Sequence, residues 1–423
     1  MTDFRGKVIK PKYVFVDGRI QEGLQLKIDA NGNIAAVGID LNDNFIDLPD
    51  IALVPGFVNA HSHAFHRYLR GHSGIGQNGV DTFWKWREAM YKLVENITYD
   101  KLKDMCKATF QEMLTAGITT VGEFHYVHHG EDRFDLDKAV IEAAKETGIR
   151  LVLIETLYCR SGFGEKTVTE QQKRFASTFE EFLGHVDKLR EFENEQLTIA
   201  VAAHSTRAVD TEHITNLWAY AQKENKAFHI HLEEQPKEIE DCVNSFHKLT
   251  PSELLIDKLV LDEKLTLVHC TYTPREYMRK YASNHVNICI CPLTEGFLGD
   301  GIPHLDETDH LSLGTDCNNR IDFFEEMRWL AYGQNATHNK RNVAKLNATK
   351  LWQIATAGGA KSLGIDKNVG SFEIGKAFDF IAINLHAPVL REFATIDGLL
   401  DALVFGAGKT EISSVGVAGV VRV

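Results

Sequence analysis

The chain has 423 residues, 44% apolar and 25% charged, which is the makeup of an ordinary globular protein whose length suits one large α/β barrel plus a smaller module. With 59 acidic against 46 basic residues the net charge is −13, and no dense Lys/Arg block interrupts it, so nucleic acid and anionic membranes are excluded as expected partners. There is no N-terminal apolar signal region and no run near the ~18 apolar residues of a membrane span, which leads us to expect a soluble, cytoplasmic protein.

Residues 7–54 read as short β-segments broken by turns: Tyr13–Val16, a turn at Asp17–Gly18, then Leu24–Ile28 and Ile34–Val37. The tail has the same character, with strands expected at Phe380–Ile383, Leu403–Phe405 and Val415–Val423. We expect the two ends, 1–54 and 370–423, to pair into one composite β-sandwich domain flanking a barrel over 55–369.

The middle alternates apolar strands with amphipathic helical stretches. Strands are expected at Ile51–Val58, Thr119–His125, Arg150–Leu157, Leu197–Ala203, Ala227–His231, Leu265–His269, Val286–Cys291 and His310–Gly314. Helical patterns cover Asp100–Ala116, Leu136–Thr147, Glu170–Asn194, Asp210–Glu224, Pro251–Leu255 and Pro274–Ser283, and then Phe323–Gly333, Asn342–Thr356 and Lys361–Gly364. Eight near-continuous apolar strands joined by helical crossovers give the order of a (β/α)8 TIM barrel, so catalytic groups belong at the strand C-terminal ends.

Histidine and carboxylate residues gather at those ends. Strand one ends in His61 and His63, whose i, i+2 spacing projects both from one face of the strand. Strand five runs into His229–Ile230–His231–Leu232–Glu233–Glu234–Gln235, strand six ends in His269, and strand eight is followed by Asp316. One such residue alone reads equally well as a satisfied polar group. Four strand ends in agreement can supply a four-ligand nitrogen/oxygen site plus an acid/base pair, with zinc as the best-suited ion and iron(II) or another divalent ion as alternatives. The seven cysteines are dispersed and lack a CxxC pair, so they read as reduced thiols and not as a zinc knuckle.

Pro55–Gly56–Phe57–Val58–Asn59–Ala60–His61–Ser62–His63, the strand-five run, Val268–His269 and Gly314–Thr315–Asp316 together resemble the one-metal deaminase branch of the amidohydrolase superfamily. That resemblance implies metal ligation by His61, His63, His231 and Asp316, with Glu234, His269 and Asp316 in the acid/base chemistry. Two-metal relatives use a carboxylated lysine after the fourth strand; here that place reads Ala203–His204–Ser205, which implies one metal. The loops are similar to one subgroup, the N-formimidoyl-L-glutamate deiminases of histidine degradation, in Phe83–Trp84–Lys85–Trp86–Arg87–Glu88, Glu123–Phe124–His125–Tyr126, His204–Ser205–Thr206–Arg207 and Cys291–Pro292–Leu293–Thr294–Glu295.

The subgroup resemblance maps substrate contacts onto Arg87, Tyr126, His204 and Arg207 and implies a small anionic substrate. The subgroup's glutamine after His-Ala-Phe is replaced by His66, which opens the substrate to a shorter or altered formimidoyl amino acid. The run Asp316–Cys317–Asn318–Asn319–Arg320 also departs from the subgroup's Ser-His-containing sequence. Homodimers are common in the resembled family, and the expectation extends to this chain. His125, His128 and His129 are read as shaping their loop, not as a second metal site. Two other readings stand beside this one: an aminopurine or aminoheterocycle deaminase on the same scaffold, and a catalytically silent scaffold protein, whose signature would be degenerate ligands.

Overall fold

The computed structural model describes residues 3–42, 44–72, 83–246 and 248–423; the side chains of Phe83 and Trp84, quoted above, lie outside the described residues. In chain order the strands are β1 (Val8–Val16), β2 (Arg19–Glu22), β3 (Gln25–Ile28), β4 (Ile34–Gly38), β5 (Ile46–Pro55), β6 (Phe57–Ser62), β7 (Ile118–His125), β8 (Arg150–Leu157), β9 (Leu197–Ser205), β10 (Phe228–Leu232), β11 (Leu265–His269), β12 (Asn287–Ile290), β13 (Leu311–Leu313), β14 (Phe380–Asn384), β15 (Ile412–Val417) and β16 (Val420–Val421).

β6 to β13 pair in sequence order, and every neighbouring pair is parallel. The barrel closes where Thr315 and Asp316 donate their N–H groups to the His61 carbonyl, both at 3.0 Å, and His63 N donates to the Asp316 carbonyl at 3.0 Å. Closure therefore runs through candidate site residues. Both faces of β7 and β8 are buried along their whole length, as strands lined inside by packed side chains and outside by helices must be.

The remaining strands form a mixed sheet from both ends of the chain, in the order β16-β15-β14-β5-β1-β3-β4 with β2 on β1. Ile9, Val14, Leu26, Leu53, Phe378 and Phe380 pack together on it. A buried bidentate pair ties this sheet to the barrel, since Arg150 at the start of β8 donates from Nε and Nη2 to the two carboxylate oxygens of Asp379, both at 3.0 Å.

The stretch expected as one strand, Ile51–Val58, divides at Pro55–Gly56. β5 ends in the small sheet and β6 begins in the barrel. A Cβ on Gly56 would come within 2.3 Å of the Thr119 hydroxyl, so only glycine lets the chain pass from one sheet to the other so close to β7. Leu403–Phe405, expected as a strand, lies in a helix, Leu399–Gly406, that buries Leu399, Leu400, Leu403 and Val404 at i, i+1, i+4 and i+5. A short apolar run does not separate helix from strand by period alone, and packing against the barrel's last helices decided it. The single helix expected over Glu170–Asn194 is a short 3-10 turn, Glu170–Gln172, followed by a helix over Phe179–Leu189. Thr178 starts the second, its hydroxyl accepting from Glu181 N at 3.2 Å while its own N–H donates to the Glu181 carboxylate at 3.1 Å. Among the described residues no helix is long and apolar enough to cross a membrane.

Candidate active site

At the C-terminal rim of the barrel His61, His63, His231 and Asp316 converge. The strand period aims His61 and His63 at one point, and the Nε2 atoms of both lie 3.6 and 3.4 Å from Asp316 Oδ1. His61 Nε2 and His231 Nε2 are 3.1 Å apart, near the ~3.3 Å that tetrahedral ligands about 2.0 Å from an ion impose on one another. His63 Nδ1 donates to the Phe124 carbonyl and His231 Nδ1 to the His204 carbonyl, each at 2.9 Å, which leaves Nε2 of both rings as the lone-pair donor. Burial, reinforced for His63 and His231 by neighbouring histidines, holds the pKa of all three rings down, in the neutral form that a metal requires. The donor set therefore fits a divalent ion, and these four residues form a candidate metal centre.

The backbone around this centre is held in unusual conformations. His269 and Asp316 have φ of +76° and +43°, a region that costs a non-glycine residue about 1–3 kcal/mol, so the surrounding structure must enforce it. Asn318 does part of this, donating to Ser62 Oγ, His63 O and Asp316 O at 3.1, 2.9 and 3.1 Å. Asn59 does the rest: its Nδ2 donates to the Thr315 hydroxyl at 2.7 Å and its Oδ1 accepts from Thr315 N at 3.0 Å. Gly314 is required here as well, because a Cβ would meet the His61 carbonyl and side chain at 2.8 Å.

Glu233 and Glu234 are sorted by the backbone. With φ of +52°, Glu233 turns away to accept from Ser252 N at 2.9 Å and Thr273 Oγ1 at 2.6 Å. Glu234 faces the cavity, its Oε1 3.9 Å from His269 Nε2. Burial raises the Glu234 pKa, the Asp316 charge adds to the rise, and His269 opposes it. For His269 burial acts downward, but Glu234, Glu295 and Asp316 outweigh it and raise the imidazole well above its usual value. Burial would also raise Asp316, yet the hydrogen bond from His61, the His63 ring beside it and the cationic His269 bring it below the ordinary carboxylate range.

Glu234, His269 and Asp316 line one cavity together with His63, His231, His66, Arg87, Tyr126, His204 and Arg207. All the residues expected at the site are thus in one place, His61 lying fully buried beneath the others. Tyr126 donates or accepts across 2.9 Å with His66 Nε2, and the His66 ring lies 4.6 Å from that of His63. Burial lowers His66 to about 3, so this histidine is neutral. Arg87 comes from the helix Phe83–Glu95, stands over the Tyr91 ring at 5.3 Å and reaches the Tyr158 hydroxyl at 3.5 Å. Arg207 sits on the turn after β9, which Arg160 braces by donating to the carbonyls of Arg207, Thr206 and Val209 at 3.2, 2.8 and 3.3 Å.

The residues beyond sequence reach are those that act through others. Glu295 accepts from Cys291 N at 3.0 Å and lies 3.3 Å from His269 Nδ1, fixing the ring that faces the cavity. It stands in a run already singled out, and its place in the first turn of the helix Pro292–Leu298 is the signal that could have marked it. Trp86, Met90, Leu298 and Cys317 complete the cavity wall, Trp86 and Cys317 from the runs 83–88 and 316–320 quoted above.

The amidohydrolase family model matches residues 52–422 of this chain. A formimidoylglutamate deiminase of Pseudomonas aeruginosa is 33% identical over 412 residues, spanning 94% of this chain and 90% of the relative. A 5'-deoxyadenosine deaminase of Methanothrix thermoacetophila is 26% identical and spans 94% and 89% of the two chains. Among solved structures, an amidohydrolase from Brucella melitensis superposes with a TM-score of 0.88 at 30% identity, covering 99% of this chain and 94% of that one. An adenosine deaminase from Xanthomonas campestris with bound zinc shares the fold at a TM-score of 0.84 and 24% identity, with 98% and 92% coverage. With a strand-end histidine and aspartate cluster and a family match over most of its length, this chain belongs to the amidohydrolase family and is a hydrolase acting on carbon–nitrogen bonds.

Proposed function

We propose that this enzyme hydrolyses the formimidoyl group of an N-formimidoyl amino acid, foremost N-formimidoyl-L-glutamate, to the N-formyl amino acid and ammonia, as a cytoplasmic step of histidine degradation. The observation that carries the reading is the pairing of a histidine/aspartate metal centre with two arginines from separate elements, Arg87 and Arg207, on one cavity. A dicarboxylate calls for planar cations that bind carboxylates bidentately, and an adenine-like base has no use for two of them. The relative named a formimidoylglutamate deiminase adds support.

We assign one divalent ion, zinc first and iron as the alternative, to His61, His63, His231 and Asp316. When bound, such an ion supplies Lewis acidity, bringing the pKa of water toward ~7. Asp316, ionised across the neutral range, accepts the proton of the attacking water. His269, held cationic by Glu234, Asp316 and Glu295, donates toward the oxygen as the formimidoyl carbon becomes tetrahedral. Glu234, facing the same cavity, relays protons: the two protons of the water pass by way of Asp316 and Glu234 to the formimidoyl nitrogen, and the carbon–nitrogen bond breaks to leave the formyl oxygen and ammonia. The atoms balance as one water consumed and one ammonia released. His204 and Tyr126 line the substrate side of this chemistry, and His66 adjusts its length preference.

Ammonia release from N-formimidoyl-L-glutamate, N-formimidoyl-L-aspartate and 5'-deoxyadenosine, assayed side by side, tests the reading. Turnover of a formimidoyl amino acid is expected; turnover of the nucleoside with none of either amino acid would overturn it. The family's dimers suggest a homodimer here, which sedimentation would reveal.

A further inference from the structure

Successive residues at the end of β7 face opposite ways. Phe124 and Tyr126 serve the cavity, one through its carbonyl on His63 and the other through its hydroxyl on His66. His125 between them points outward, toward the helices Asp135–Thr147 and Phe179–Leu189, where it meets Asp137, which His128 and His185 also reach, with Glu155 beside His128. His129 takes no part: its Nε2 donates to the Ala176 carbonyl and its Nδ1 accepts from Phe134 N.

Asp137 is the hub. His125 Nε2 and His128 Nδ1 lie 2.9 Å from its Oδ1, and His185 Nε2 lies 2.7 Å from its Oδ2. Only the His128 contact has hydrogen-bond direction; His125 Nε2, His185 Nε2 and Asp137 Oδ2 are buried without a hydrogen-bond partner among the described residues despite the short distances. Both carboxylate oxygens of Glu155, a fully buried residue, are likewise without one, although Oε2 lies 3.5 Å from His128 Nδ1. Three of these five buried atoms belong to ion pairs without hydrogen-bond direction, and both oxygens of Glu155 lack any hydrogen bond, so two histidine/carboxylate triads that share Asp137 present donors that a network of hydrogen bonds does not close.

We propose that His125 Nε2, His128 Nδ1, His185 Nε2, Asp137 and Glu155 form a second divalent-cation site of the zinc class, structural in role. Three imidazoles exclude calcium and magnesium, which take oxygen ligands, and two carboxylates neutralise the dication. His128 Nε2 donates to the Thr156 carbonyl at 2.9 Å, which fixes the ring and frees Nδ1 as a ligand, the arrangement that metal-ligating histidines adopt. Bonds of about 2.0–2.2 Å to an ion require these donors to move apart by a few tenths of an ångström. The enclosure of the site by two helices and two strands leaves no open position for substrate, so the ion clamps the end of β7, and with it Phe124 and Tyr126.

The test is metal content and placement after zinc-supplemented expression and gel filtration. We expect about two equivalents of zinc per wild-type chain, and about one in Asp137→Asn and in His231→Ala, the latter keeping the ion of this cluster. Anomalous diffraction from wild-type crystals at the zinc edge is expected to show a peak bounded by His125, His128 and His185. Two equivalents retained in Asp137→Asn, or zinc-loaded crystals without that peak, would overturn the proposal. Because the crystal reads each position separately, a missing ion in the cavity and a missing ion here are distinguished, and a poorly folding variant does not obscure the answer.

Discussion

Arg207→Met keeps most of the side chain's volume and removes its charge. Arg207 is 8% exposed, and its Nε has no hydrogen-bond partner among the described residues, so the guanidinium has capacity left for substrate. A hydrogen bond to a charged group contributes about 1.5–3 kcal/mol, and leaving a buried carboxylate unpaired raises the loss toward about 2–5 kcal/mol. Taking about 3 kcal/mol, kcat/KM for N-formimidoyl-L-glutamate should fall by roughly 150-fold, at about 1.4 kcal/mol per factor of ten. The assay is steady-state ammonia release, run also with two analogues, one lacking the α-carboxylate and one lacking the side-chain carboxylate. The analogue without Arg207's partner should lose little further in the variant, which makes the pair a double-mutant cycle with the substrate as one member. A loss below threefold with the full substrate, or equal losses for all three compounds, would refute the assignment of this arginine to a carboxylate.

Four further outcomes are expected. His66→Gln restores the neutral donor and acceptor of the subgroup opposite Tyr126 and should raise the ratio of kcat/KM for formimidoyl-glutamate over formimidoyl-aspartate, whereas an unchanged ratio removes His66 from specificity. Asp379→Ala leaves Arg150 buried and unpaired, and should destabilise the fold by about 3–5 kcal/mol in denaturant titration while the folded fraction keeps its kcat. Removal of metal by a chelator should abolish ammonia release and zinc should restore it; full activity in metal-free protein would rule out the assigned chemistry. Glu112 is pushed upward by burial but held below its usual value overall by Arg70 and Arg67. Its contribution to stability is therefore present above about pH 4.3 and lost as pH falls through the lower folded value, so Glu112→Gln should flatten the acid limb of a plot of Tm against pH.

The strand order could be read because each barrel strand is a local apolar run with helical crossovers between, and parallel pairing in sequence order follows from that alternation. His61 and His63 could be paired because their relation is a strand period of two residues, a local property. The reading failed where a segment's identity depends on what it packs against. Leu403–Phe405 reads equally as strand or helix until the barrel's last helices cover it, and the Pro55–Gly56 break is visible only once Thr119 is seen against Gly56.

The sequence by itself determined the chemistry available at the rim, since strand-end histidines, the Leu232–Glu233–Glu234 run and Asp316 are each marked by position relative to a strand. Only the tertiary structure decided which groups act through them. Glu295 reaches His269 from 26 residues away, and Asn59 reaches Thr315 across 256. His125 and His128, set aside as loop-shaping residues, acquire Asp137, Glu155 and His185 from three other elements. The physical reason is the same in each case. Local periodicity fixes the face on which a side chain stands, whereas its partner is fixed by strand register and helix placement, which arise from packing the whole chain.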